Sequence, residues 1–264
     1  MRIMTFRPVH LVLAALILGW SLQGEPIPVR SIEGRIRGFL TLRDSDNTVL
    51  GSGDLSQLVR GSRVTTTLVL HFKDGSFYKE DTVFSQQRVF RLLTDHVVQR
   101  GQAFKLAMDM SLNAGTGAVT VRYTDDHGKE KVIADHLKMP PDVSNGLVTT
   151  LVSDIDPAVR ETTVSMVAAT PKPRLVKLKI SPVGEDVFSI GGSPRKAIQY
   201  AIKVDIGGLS GAIAPLVGKQ PPDTHIWISR DPVPAFLKSE GPLSDAGPLL
   251  RIELASPVWP SGSR

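Results

Sequence analysis

The sequence predicts an all-β fold: a curved antiparallel sheet, or half-barrel, wrapped around one short plug helix. Three observations carry that expectation. Apolar and polar residues alternate in stretch after stretch. Turn-forming clusters separate those stretches at hairpin spacing. A segment near 143–155 switches to the helical period. Successive strand side chains point to opposite faces, so strict alternation gives each strand one buried and one wet face. That pattern belongs to antiparallel sheets; parallel sheets are covered on both sides and read as continuous apolar runs.

The amino terminus reads as an address. Arg2, Arg7 and His10 precede the apolar run Leu11–Leu18, followed by Gly19, Trp20 and Ser21. A basic start and a short apolar stretch make a secretory signal peptide, expected over 1–24. The run falls short of the ~20 apolar residues of a membrane span. The cleavage site is indistinct, so an uncleaved anchor stays open, and that segment is the expected route to a membrane. Either way residues 25–264 are expected outside the cytoplasm, periplasmic or secreted.

Strands are expected at 32–43, 48–58, 63–72, 76–84 and 88–99. Between them lie turn signals such as Asp44 to Asn47 and Asp74-Gly75. The alternation is cleanest at Phe104, Leu106, Met108, Met110 and Leu112, then at Val119, Val121 and Tyr123. Asn113 to Gly115 and Asp126 to Gly128 supply the next turns. Strands at this spacing, joined by hairpins, make a meander or barrel.

The helix is expected over 143–155. Val143, Leu147, Leu151 and Ile155 recur every four residues, and Val148 and Val152 widen the stripe. Pro157 blocks continuation, and Asp142 or Ser144 is placed to cap the start. Gly146 costs such a helix ~1 kcal/mol relative to Ala, so it needs burial against the sheet to survive. Further strands are expected at 161–169, 174–180, 197–206, 224–230 and 249–254. Pro and Gly crowd the stretches from 218 onward, and the tail 257–264 is expected to fray. No linker and no repeat divides the chain, so 25–264 is expected to form one half-barrel domain.

Composition excludes several functions. The chain of 264 residues has no cysteine, which rules out disulfides, thiolate zinc sites, a cysteine nucleophile and a lipidated cysteine. Of 31 Lys+Arg, two lie in 1–24, leaving 29 against 26 acids, interspersed and without basic runs. A nucleic-acid partner needs a concentrated basic footprint with stacking aromatics, so none is expected.

Met139-Pro-Pro-Asp142, Asn145-Gly-Leu147 and the late stretch Trp227 to Pro234, set among many antiparallel strands, resemble a group of exported bacterial proteins of unknown function. Their fold is similar to that of the periplasmic lipoprotein carriers LolA and LolB. The resemblance covers residues 30–255. It implies a half-barrel around a helical plug and a concave apolar face that holds acyl chains. Leu106, Met108, Met110, Val121, Tyr123, Leu147 and Leu151 are the expected lining. The expected partner is a lipid or another apolar small molecule, with no cofactor.

Candidate chemistry is weak beside this. Gly208-Leu-Ser210-Gly-Ala212 approximates a nucleophile elbow, and Asp223 and His225 follow it, but the helix and parallel sheet such an elbow needs are missing. Ser193-Pro-Arg-Lys196 matches a serine–lysine motif without its companions, and Gly191-Gly192 before it indicate a hairpin turn. His71, His96, His127, His136 and His225 show no ligand spacing, and no metal is expected. Asp142 and Asp154 flank the helix as a carboxylate pair, for which capping is the simpler account. The expected function is a non-enzymatic envelope protein that holds a lipid-like molecule. One alternative is an adaptor that docks an envelope protein through a sheet edge or the loops near Pro232. The other is a serine hydrolase using Ser210.

Overall fold

The computed structural model describes residues 24–125, 127–205, 221–244 and 247–257. Its fourteen strands form one antiparallel sheet. They are β1 Ile36–Arg43, β2 Val49–Arg60, β3 Arg63–Phe72, β4 Phe77–Gln86, β5 Phe90–Arg100, β6 Met108–Asn113, β7 Ala118–Thr124 and β8 Glu130–His136. After the plug come β9 Thr162–Ala168, β10 Arg174–Ile190, β11 Ser193–Asp205, β12 Thr224–Ser229, β13 Phe236–Pro242 and β14 Leu249–Leu254. The plug is a 3-10 turn, Asn145–Leu147, continued by α1, Val148–Asp154.

The sheet order is β8 to β1, then β14 to β9. Within each run, strands consecutive in sequence are neighbours in the sheet and pair antiparallel. One long-range pairing, β1 on β14, joins the two runs, with Leu42 opposite Ile252. The sheet therefore ends at β8 and β9, the two strands that the plug connects, and it does not close.

The sheet curls around the plug. The 3-10 turn meets β4, β5 and β9, while α1 meets β12 and β13. These strands are far apart in sheet order, so only a strongly curved sheet brings them to one helix.

Several boundaries depart from the sequence expectation. The 104–112 strand begins only at Met108. Phe104 instead packs its ring on Phe72 and Tyr78, at centroid distances of 5.6 and 6.2 Å. β10 and β11 run on past 180 and start before 197, forming a long hairpin. Its turn is Gly191-Gly192, with φ of 56° and 80°. Both values lie in the left-handed region that glycine adopts at no steric cost, as a type I′ turn requires. Ser193 and Lys196 are thus strand residues of β11. The sequence predicts no strand at β13, because Phe-Leu-Lys-Ser-Glu-Gly-Pro lacks alternation. Its register slips opposite Trp227 and Ile228. Leu237 accordingly joins Phe188, Ala197 and Trp227 in a separate buried cluster. There the Lys238 ammonium lies 4.0 Å from the Trp227 ring centre, and Trp227 Nε1 donates to Asp186 at 2.6 Å.

The helix start also differs. Ser144 occupies the N-cap position of the 3-10 turn, but neither its side chain nor that of Asp142 makes a capping hydrogen bond. The Asp142 carboxylate accepts from Ser165 Oγ at 2.9 Å and Lys177 Nζ at 3.2 Å, and Ser144 Oγ donates to the Ser165 carbonyl at 2.9 Å. These side chains fasten the plug to β9 and β10. The Asn145 amide completes the attachment: it donates to the Val167 carbonyl and accepts from the Val167 N–H, both at 3.0 Å.

The main core lies on one side of the plug. Leu147, Leu151, Val152 and Ile155, all buried, pack with Phe84, Phe90, Met110, Val121, Ile180 and Tyr200. A second core of Leu40, Leu42, Leu70, Phe72, Tyr78 and Ile252 lies under β1, β3, β4 and β14.

Candidate functional site

The plug is amphipathic, yet its polar face does not simply meet bulk water. Gly146, Thr149, Thr150 and Ser153 line a cavity of about 400 Å³ between the plug and the inner sheet face. Ligand pockets fall in the range of roughly 300–1,000 Å³. The opposite wall is apolar: Leu40, Leu55, Leu68, Phe236, Ile252 and Leu254. A polar band of Gln57, Thr66, Glu80, Thr82 and Ser239 runs beside it. At the opening Ile32, Ile36 and Val233 are exposed, Val233 by 74%.

The rim is built by the chain before β1. Pro28 bridges to Val89, and the Phe90 N–H donates to the Ile27 carbonyl at 2.9 Å. Farther along, the N–H groups of Arg30 and Ser31 both donate to Asp154 Oδ1 at 2.6 Å. The Arg30 guanidinium reaches Asp156 at 2.8 Å. Gln57 Nε2 donates to Glu33 at 2.7 Å, and Gln86 exchanges hydrogen bonds with the Glu33 backbone. Asp154 therefore anchors this strap and does not act as an acid–base partner of Asp142.

The floor holds an acidic cluster. Thr82 Oγ1 donates to Asp95 Oδ1 at 2.8 Å, and the Gly146 N–H bonds the same carboxylate. Asp95 is 1% exposed and its Oδ2 has no hydrogen-bond partner. On β4, Tyr78 donates to Glu80. Burial, reinforced by the Asp95 charge, pushes the Glu80 carboxyl up to about 8. Burial likewise raises Asp95 to about 6, against the hydrogen bonds from Thr82 and Gly146. The plug fits this cluster because residue 146 is glycine. A Cβ there would stand 2.0 Å from Thr82 Oγ1 and 2.9 Å from both Asp95 Oδ1 and the Glu80 carboxyl carbon.

The expected lining residues lie elsewhere. Met108, Met110, Val121, Leu147 and Leu151 are buried in the main core, Tyr123 packs against it, and Leu106 is half-buried ahead of β6. On that side the plug leaves a gap of about 10 Å³ beside Leu147 and Leu151, the volume of about one water. None of the seven lines the large cavity. Sequence reasoning followed the strongest alternation, and that alternation marks the filled half. The cavity strands carry Thr66, Glu80 and Thr82 on their inner face, which break the apolar pattern. Inward polar residues were the available signal.

The remaining candidates divide. Ser210 lies outside the described residues, as does the expected signal segment. Asp223 pairs with Lys203 at 3.5 Å, and His225 packs near Trp227. His96 pairs with Asp109 at 3.0 Å. Asp125 accepts from the N–H groups of His127 and Lys129, a self-capped turn. Among the described residues no group of three or more His, Asp or Glu is placed to hold a metal ion. Among them, too, no helix is long and apolar enough to cross a membrane.

The chain matches no family model and no curated protein. It is similar to a solved structure, a beta-barrel-like protein of domain of unknown function DUF1849 from Brucella abortus. The TM-score is 0.42 at 10% identity, over 89% of this chain and 99% of that one.

Proposed function

We propose that the protein is a non-enzymatic binding protein of the bacterial envelope that shelters one lipid-like amphiphile. The observation that carries this reading is the cavity of about 400 Å³, apolar on the sheet side and polar on the plug side. A molecule with one greasy and one polar flank matches both walls. The exposed apolar residues Ile32, Ile36 and Val233 at the opening suit the passage of such a molecule. An adaptor with a fully packed interior would have no use for that volume. The reading agrees with the acyl-chain role implied by the resemblance to the lipoprotein carriers, and it shifts the site from Met108 and Met110 to the other flank of the plug. Export to the periplasm or beyond rests on the basic and apolar pattern of residues 1–24, and the body 25–264 is taken as one domain.

Mass spectrometry of organic extracts of gently purified protein tests the reading, together with uptake of the uncharged dye Nile red. Bound lipid or saturable dye uptake is expected, and Leu68→Trp, which puts an indole into the cavity, should weaken the uptake while the circular dichroism stays that of a sheet. Repeated recovery of no lipid with no dye uptake would overturn it.

A further inference from the structure

The charged groups around the cavity are unevenly placed. Its lining contains Glu33, Glu80 and Arg35 as charged residues, and Arg35 is exposed at the rim. Behind the lining stands Asp95, buried, with one carboxylate oxygen unpartnered. The floor thus offers acceptors without a basic side chain to meet them. A buried carboxylate without a cation is costly, and either a proton or a positive ligand relieves it. From β3 and the plug, the cavity neighbours of Glu80 are Thr66, Leu68, Gly146, Thr149 and Thr150, none of which titrates at neutral pH. The titratable groups that act on Glu80 are Tyr78, Asp81 and Asp95.

We propose that the cavity selects amphiphiles with a protonated amine head, seated on the Glu80 carboxylate with Thr82 and Asp95 beside it and the tail against Leu40, Leu55 and Leu68. This rests on the binding function proposed above and names its ligand class. Burial beside Asp95 raises the Glu80 carboxyl and favours its protonated form near neutral pH. An incoming ammonium stabilises the carboxylate, so Glu80 gives its proton to the solvent and the ammonium keeps its own. Binding therefore releases up to one proton per ligand at pH 7.

The test uses the purified chain and three probes with the same tail: dodecylammonium, dodecanol and laurate, each displacing Nile red at pH 7. Dodecylammonium should displace the dye at concentrations about ten-fold to a hundred-fold below dodecanol, with laurate weaker still. Calorimetry in two buffers of different ionisation heat should show a proton released on wild-type protein at pH 7, fading above pH 9. Glu80→Gln should remove both the preference and the proton release. If dye enters but dodecanol or laurate matches dodecylammonium, or no proton is released, the amine assignment falls and the binding reading stands. If dye and all three probes fail to bind, both fall.

Discussion

Gly146→Ala sets two effects against each other with opposite signs. In a helix interior the replacement gains ~1 kcal/mol of propensity. At this position the new methyl would lie 2.0 Å from Thr82 Oγ1. Thr82 is β-branched and stiff at χ1. Rotating it away would break its 2.8 Å hydrogen bond to Asp95, a carboxylate whose other oxygen already lacks a partner. Leaving a buried acceptor unsatisfied costs ~1–3 kcal/mol, and overpacking costs ~1–3 kcal/mol. Steric and polar losses exceed the propensity gain, and the net destabilisation is about 3 kcal/mol. For a chain of this size each kcal/mol moves the melting temperature by roughly 2–4 °C, so Tm should fall by about 6–12 °C. Scanning calorimetry reads the change. In a Thr82→Ala background the obstructing oxygen is gone, so Gly146→Ala should cost less there than alone, a coupling that a double-mutant cycle isolates. A Gly146→Ala protein that melts at or above the wild-type temperature would refute the close docking of the plug on the acidic floor.

Glu80 titrates near 8 in the folded chain against 4.5 as its ordinary value. The folded state therefore holds a proton that the unfolded state has lost, so stability from this group is full below pH 4.5 and declines up to about pH 8, by at most ~1.4 kcal/mol per pH unit. Urea unfolding from pH 5 to 8.5 should show that decline, to which Asp95 adds below about pH 6, and Glu80→Gln should flatten the part between pH 6 and 8. Asn145→Ala leaves both backbone groups of Val167 bare and should cost about 2–4 kcal/mol by urea unfolding; a change below 0.5 kcal/mol would dismiss the amide as a β9 fastener. Asp154→Ala releases the N–H groups of Arg30 and Ser31, and limited proteolysis should then cut within 24–35 several-fold faster, with unchanged cleavage counting against the anchor. Fluorophosphonate probes should not label the chain, and labelling lost on Ser210→Ala would revive the hydrolase alternative.

Alternation made the filled half legible, because Met108, Met110, Val119 and Val121 each occupy an inward strand position in the core that also holds Leu147 and Leu151. The four-residue stripe likewise marked the buried face of the plug. The cavity was illegible for the same physical reason. A wall that must leave room and hold polar groups does not repeat apolar residues, and Gln57, Thr66, Glu80 and Thr82 interrupt it. Gly146 looked like a defect in a weak helix. Its purpose depends on Thr82 and Asp95, which lie far away in sequence and reach it only after β4 and β5 pair in register, Thr82 opposite Asp95. Likewise, β13 has a register slip and a buried Lys238, features that pattern reasoning assigns to a loop.

The open sheet and the cavity have one cause. An edge strand presents unpaired backbone groups, and a barrel removes them by closure. Here β9 could pair with β8 only if its outer backbone groups were free, and the plug has taken them. The Ser144 N–H donates to the Ser165 carbonyl at 2.9 Å, the Ser165 N–H to the Asp142 carbonyl at 3.2 Å, and Asn145 holds both groups of Val167. The other edge, β8, is an exposed strand that carries Glu130, Lys131 and Asp135, charges of the kind that discourage pairing with another strand. With the β9 edge occupied, β8 has no free partner edge within the sheet on which to close. The plug is then held off-centre, bound to β9 by its first turn and to the strap by Asp154. Its apolar face is drawn into the side where Met110 and Ile180 lie, and its threonine face is turned to the cavity. The 400 Å³ on that flank follows from the off-centre seat, which is why substitutions that loosen the plug, Asn145→Ala and Asp154→Ala, should lower ligand uptake as well as stability although neither residue lines the cavity.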